Sequence, residues 1–256
     1  MNWASRRRTI YIVSIVVFFG IILGIPLAIW LNRPPSCFDG KQNQEETAPD
    51  KGGPCALLDE RTLLPYSVLW SRAFPVRAGV YNAVAYVENP NAEASASAVS
   101  YRFQFYDDRG VIVAERTGVT PIMPGGVTPV FTGAISTGNR FVARTFFEFT
   151  RNPAWERLRD RTSDLTINNK VVSMLDSSPR LAARVKNTSV STIVDPGFVA
   201  VVFDTAGNAI AASATTIPRL EGGEEREIVF VWTEPFSKAA GRIDILPILE
   251  SKGSGS

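Results

Sequence analysis

From Thr9 to Leu31 the chain runs "TIYIVSIVVFFGIILGIPLAIWL" without one charged side chain. A helix rising 1.5 Å per residue would carry such a run across the ~30 Å hydrocarbon layer of a bilayer, where the backbone has to satisfy its N–H and C=O groups internally. A helix from a soluble core would keep a polar stripe, and none is present. A cleaved signal peptide has an apolar stretch of about 7–15 residues closed by a small-x-small site. This run is longer and leaves through Trp30-Leu31-Asn32-Arg33-Pro34-Pro35, with no such site and no lipid-attachment pattern before Cys37. The sequence therefore predicts an uncleaved transmembrane helix over 9–31. Pro26 is tolerated in its outer half, and Tyr11 and Trp30 lie where aromatic rings favour the interface.

Charge sets the expected orientation. Arg6, Arg7 and Arg8 precede the run and only Arg33 follows it closely, so residues 1–8 are expected in the cytoplasm and the rest of the chain outside, at a cell membrane. The net charge of +2 and the scattered arginines lack the dense basic face of a nucleic-acid binder. The two cysteines, Cys37 and Cys55, both lie just past the span. In an oxidising compartment an isolated pair closes a disulfide, and at this separation loop entropy assigns it about 3 kcal/mol; two free thiols are the alternative.

Between the cysteines runs "CFDGKQNQEETAPDKGGPC", within a tether expected over 32–61. Asp39, Asn43, Glu45, Glu46 and Asp50 place oxygen-bearing side chains in a short loop broken by glycines, a set that suits a hard cation such as Ca²⁺, although the spacing is not that of an EF-hand. A solvated acidic tether is the competing reading. The stretch resembles a cysteine-framed segment, C-x-D-G-x-x-N-x-x-E-x-x-x-D-C-G-G-x-C, found in secreted and surface-anchored bacterial proteins beside β domains. It departs at Lys51, where that pattern has a cysteine.

From about Leu63 onward short apolar alternations separated by turn residues predict β-structure. In "AVSYRFQFYDDRG" Val99, Tyr101, Phe103 and Phe105 share one face and Ser100, Arg102 and Gln104 the other, before a turn at Asp107 to Gly110. The unit repeats at an offset of about 97 residues: Asn89 matches Asn187, Tyr106-Asp107 matches Phe203-Asp204, Gly110 matches Gly207, Ile122 matches Leu220, and Gly125-Gly126 matches Gly222-Gly223. Solenoid units are about 20–50 residues long, so a period of this size predicts two domains of one fold, at 62–150 and 164–250. Between them 151–163, "RNPAWERLRDRTS", reads as a short helix capped by Asn152 with Pro153 in its first turn, and 251–256 as a flexible tail.

Each repeat resembles the FxLYD and water-stress β-sandwich families through Val87-Glu88-Asn89, Phe105 to Gly110 and Ile122 to Gly126, and through Val185-Lys186-Asn187, Phe203 to Gly207 and Leu220 to Gly223. That resemblance implies an all-β protein of two tandem Ig-like sandwiches. Together with the anchor and the cysteine-framed loop, the whole is similar to membrane-anchored envelope proteins of small-genome candidate-phylum bacteria, which implies a surface location.

The chain contains no histidine. That removes the commonest general base, the usual serine and cysteine triads and most zinc sites. Asp107-Asp108 and Glu224 to Glu227 read as turn and strand-entry residues, and no phosphate loop or nucleophile elbow occurs. No catalytic or cofactor-binding residue is assigned. Trp70, Trp155 and Trp232 read as core rings, with Trp155 the candidate interface residue. The expectation is a non-catalytic scaffold, adhesion element or accessory subunit. Its partners are the membrane, through the anchor, and other envelope or membrane proteins, a second copy included; nucleic acid is not among them. The alternative is a calcium- or ligand-responsive protein acting through the Cys37 to Cys55 loop.

Overall fold

A computed structural model of the chain describes residues 3–31, 35–138, 140–158 and 160–249. The expected tail at 251–256, Arg33 and the side chain of Trp30 lie outside the described residues. The chain divides into two compact units, 1–55 and 56–256.

The first unit contains one helix, α1 (Trp3–Leu31), with Pro26 inside it. Its segment Arg6–Ile29 has a mean hydropathy of 2.9 and buries none of its side chains, so it is long and apolar enough to cross a membrane. The helix begins at Trp3, earlier than the apolar run, because Arg6, Arg7 and Arg8 are good helix formers; Arg7 lies over the Trp3 ring at 4.1 Å. The unit ends in a turn-rich loop closed by the Cys37–Cys55 disulfide, Cα–Cα 5.5 Å.

The second unit is all-β. Its first repeat holds β1 (Ser67–Arg77), β2 (Val80–Asn89), β3 (Ala94–Tyr106), β4 (Ile112–Ile122), β5 (Gly126–Ser136), β6 (Arg144–Phe149) and the two-residue β7 (Glu156–Arg157). The second holds β8 (Leu165–Ser173), β9 (Arg180–Asn187), β10 (Ile193–Val194), β11 (Gly197–Asp204), β12 (Ala209–Thr216), β13 (Arg219–Leu220), β14 (Glu225–Val231) and β15 (Ala240–Ile248). Antiparallel sheets β1-β2-β5 and β4-β3-β6 form the first repeat; β8-β9-β14 and β12-β11-β15 form the second in the same topology, with β10 pairing β13. β2 and β9 therefore sit at the centre of one sheet of their repeats, and β3 and β11 at the centre of the other.

Each sandwich has its own core. Phe103, Phe105 and Phe147 face Ala83, Ala85 and Val87 in the first. Phe198, Ala200 and Ile245 face Leu181, Val185 and Phe230 in the second. The alternation read along β3 is obeyed: Val99, Tyr101, Phe103 and Phe105 are buried, and Ser100, Arg102 and Gln104 only half so.

A third core joins the repeats. The outer face of β1-β2-β5 packs on the outer face of β12-β11-β15, bringing Phe74, Val84 and Tyr86 against Val199, Val201 and Phe203. Trp70 lies 4.3 Å from Tyr86 and edge-on to Phe203 at 6.3 Å. Among the described residues the seam is stitched by Arg72 Nη1 donating to Ala209 O (2.7 Å), Asn82 Nδ2 to Ala212 O (3.2 Å) and Thr233 Oγ1 to Val76 O (2.6 Å). β2 and β11 are thus covered on both faces, which is why "AVAYV" and "FVAVVF" read as unbroken apolar runs.

The helix expected over 151–163 is not formed. Glu156–Arg157 is a strand paired with Ala94 and Ser95, and Thr162–Asp164 is a single 3-10 turn. The reason is competition for backbone groups. Leu58 N donates to Trp155 O (2.8 Å), Arg157 N to Ala56 O (2.7 Å) and Leu158 N to Glu93 O (2.9 Å), so these backbone groups bond sideways to other segments and not along a helix. Trp155 anchors the arrangement. It is 6 % exposed, packed with Ala94, Ala96, Val99 and Ile122 of the first sandwich, and is no surface docking residue.

Candidate functional site

The loop between the cysteines gathers polar chemistry in a short span, and Gly52 and Gly53 give it the left-handed backbone that its turns require. Its carboxylates are turned inward on the loop's own amides. Asp50 Oδ1 accepts from Asp39 N (3.0 Å) and Gly40 N (3.1 Å), and its Oδ2 from Gly40 N (2.9 Å). Asp39 Oδ1 accepts from Lys41 N (2.9 Å) and its Oδ2 from Asn43 Nδ2 (3.0 Å); the Lys41 amide, foremost, holds the Asp39 carboxyl below the usual carboxylate range. Glu46, only 5 % exposed, accepts at Oε2 from Asn43 N (3.1 Å) and Asp50 N (3.2 Å).

Against the calcium set expected from sequence, the loop brings Asp39, Asn43, Glu46 and Asp50 into one hydrogen-bonded network and leaves Glu45 exposed. Among the described residues, the one trio of acidic or sulfur groups whose ligating atoms all lie within 4.8 Å of one another is Cys37, Glu46 and Cys55. Its two sulfurs are bonded to each other, and no three of the four carboxylates meet that closeness. The acids brace the backbone, and one oxygen in the network, Asn43 Oδ1, is buried without a partner.

Sequence reasoning missed one feature of this loop. Glu46 Oε1 lies 3.1 Å from Cys55 Sγ. A disulfide sulfur has no hydrogen to donate, so this is a carboxylate packed against the bond itself. The spacing of Glu46 and Cys55 carries no signal for it; the only hint available was a glutamate between two cysteines.

The repeated motif residues turn out to be corners. Asn89 Nδ2 donates to Ala94 O (2.7 Å) and Met123 O (2.9 Å), while its Oδ1 accepts from Asn91 N (3.1 Å). Asn187 does the same with Ser191 O (2.8 Å), Leu220 O (3.1 Å) and Ser189 N (3.0 Å). Asp107 Oδ1 accepts from Arg109 N and Val111 N, as Asp204 Oδ1 accepts from Ala206 N and Asn208 N. Gly110 and Gly207 close these turns at φ of 77° and 82°. Asp204 is buried and held down to about 2, first by the Asn208 amide and then by Lys238, whose Nζ donates to Oδ2 at 3.1 Å. Asp107 and Asp204 are thus spent on the backbone of their own turns. Beside the first turn lies an open depression of about 600 Å³ lined by Asp108, Arg109, Arg140 and Phe141.

No protein-family model matches the sequence, and no curated protein sequence matches it. Solved structures that resemble it include red sea bream transglutaminase, at 11 % identity over 75 % of this chain and 32 % of that one with a TM-score of 0.24. A Bacteroides uniformis β-glucuronidase is 16 % identical over 68 % and 22 %, TM-score 0.19. A tandem CBM22-1-CBM22-2 domain of Paenibacillus barcinonensis Xyn10C is 10 % identical over 75 % and 92 %, TM-score 0.16. The chain spans about a third of the length of the first and about a fifth of the second. At scores this low the likenesses say nothing of activity.

Proposed function

We propose that the chain is a single-pass membrane protein with its N-terminus in the cytoplasm and its β unit outside, serving as a non-catalytic interaction element: a scaffold, an adhesion element or an accessory subunit of an envelope complex. The observation that carries this reading is α1, whose apolar side chains point outward all round with none buried, so that lipid is the environment that suits them. The Arg6 to Arg8 triplet at its start and the Cys37–Cys55 disulfide beyond its end support the same orientation. The repeats fit FxLYD-like sandwiches in this reading, their matched residues serving as corners. Adding protease to intact cells tests the placement: the β unit is digested and a short anchored N-terminal fragment survives. Full protection of the β unit, or mature protein beginning after residue 33, overturns it. Purification from native membranes after crosslinking tests the role, and recovery of the chain with no stoichiometric companion removes the accessory-subunit version.

A second reading, a calcium-responsive loop, is favoured by the buried unpartnered Oδ1 of Asn43, a residue hydrogen-bonded to the Asp39 and Glu46 carboxylates. Calcium titration of the full-length protein in detergent decides it: a melting temperature that does not move with calcium rejects this reading and leaves the first intact.

A further inference from the structure

Cys55 is 1 % exposed and Cys37 is half-buried, so an external thiol reaches the bond from the Cys37 side. Beside Cys55, at 3.1 Å, stands Glu46 Oε1, on a side chain fixed by two backbone amides at its other oxygen and with a carboxylate oxygen within 4.8 Å of both sulfurs. We propose that Glu46 guards the Cys37–Cys55 bond against thiol exchange, making the loop a permanent closure and not a redox relay. This inference stands on the loop alone and does not depend on which side of a membrane the loop occupies.

The chemistry follows from where charge has to go. A dithiol reductant attacks as a thiolate. Bonding to Cys37 Sγ breaks the Cys37–Cys55 bond and leaves the electron pair on Cys55 Sγ, which then takes a proton from solvent. The reductant's second thiolate attacks its own sulfur in the mixed disulfide, so Cys37 is released as a thiolate and protonated in turn, and the dithiol ends as a disulfide having supplied two electrons. The first displacement puts a negative sulfur against the negative Glu46 carboxylate inside the loop. Like charge at that distance raises the proton affinity of Cys55, and a thiolate of high proton affinity is a slow leaving group. Attack from the other side fares no better, because an incoming thiolate would have to reach a sulfur that is buried and flanked by the same carboxylate. Once reduced, Cys55 would donate its S–H to Glu46 Oε1, which holds it as thiol and suppresses its use as a nucleophile.

The test is the rate at which dithiothreitol reduces the full-length oxidised protein in detergent, followed by iodoacetamide trapping and mass measurement. Glu46→Gln keeps the size and an oxygen for the Asn43 and Asp50 amides, and removes the charge. It is expected to be reduced about ten-fold faster than the wild type, the size of effect that a leaving-group shift of about two pKa units produces. Asp39→Asn removes a carboxylate from the same loop away from the sulfur, and is expected to leave the rate within about two-fold. A Glu46→Gln rate equal to the wild type, or an Asp39→Asn acceleration as large as that of Glu46→Gln, overturns the proposal. If Glu46→Gln does not close the loop, the wild type still offers a result that overturns the proposal. Trapping with a monothiol, 2-mercaptoethanesulfonate, is expected to place the mixed disulfide on Cys37 and the alkyl group on Cys55, and the reverse distribution overturns it.

Discussion

Arg102, Gln104 and Tyr106 occupy on β3 the positions that Val199, Val201 and Phe203 occupy on β11. Arg180 and Arg184 likewise occupy on β9 the positions of Asn82 and Tyr86 on β2. The two repeats share strand order, pairing and corners, yet one buries the outside of its β1-β2-β5 sheet and the other the outside of the sheet equivalent to β4-β3-β6. The junction is thus heterologous, two different patches meeting, and contacts of that kind continue into a filament if the next copy offers the same patches. The free sheets carry ion pairs, Arg102–Glu148 on the first repeat and Arg180–Glu227 and Arg184–Glu225 on the second, where the faces that meet at the junction carry apolar side chains.

The strongest way to break this comparison is to give the second repeat the first repeat's residue. Val199→Arg, copying Arg102, buries an unpaired guanidinium in the junction, and is expected to cost about 3–5 kcal/mol in urea unfolding of the full-length protein and to separate the melting of the two sandwiches. A loss below about 1 kcal/mol would mean that the junction opens without penalty. The corner residues sharpen the opposite half of the comparison, their equivalence. Asn89→Ala takes the side-chain donor from the Ala94 and Met123 carbonyls and Asn187→Ala from those of buried Leu220 and exposed Ser191, and each is expected to destabilise by about 1–3 kcal/mol. A silent variant in one repeat would show that its corner is held by something else.

Asp204 and Asp107 close matching turns, but only Asp204 has a lysine on it. Its folded-state pKa, about 2, lies below the ordinary 3.8, so its contribution is fully present above the ordinary value and is lost as pH falls from there through about 2. Asp204→Asn is expected to lower the melting temperature by a few degrees at neutral pH and to converge with the wild type at low pH; a difference that is constant with pH refutes the assignment. The smallest effect belongs to the reverse swap. Gln104→Val sits on a half-exposed sheet face, is expected to change stability by less than about 0.5 kcal/mol, and raises self-association in sedimentation velocity by giving the free face the junction's character.

Much of the β unit was legible because period-two alternation and turn residues report local geometry. Phe103 and Phe105 face inward as their spacing requires, and the repeated Asn and Asp-x-x-Gly positions mark equivalent corners. Trp155 was misread. "NPAWERLRD" has a cap, a first-turn proline and charges, but the strand of Ala94 and Ser95 and the segment at Ala56 to Leu58 claim its backbone groups, and neither is visible in a nine-residue window. The ring that wedges the repeats is Trp70. In the acidic loop, the types of residue suggested a cation, whereas their oxygens point at amides of the loop itself, a matter of turn geometry that spacing does not encode.

The order of residues by itself determined that one segment must be a helix apolar on all sides, that two cysteines lie close enough along the chain to bridge, and that two like sandwiches follow, because each depends on patterns within a strand, a turn or a single span. The tertiary structure alone decided which sheet faces meet, where Trp155 and Trp70 go, and that Glu46 stands against a disulfide sulfur. Alternation says that a face is apolar and must be covered; what covers it is settled by shape and charge over distances that no local pattern spans.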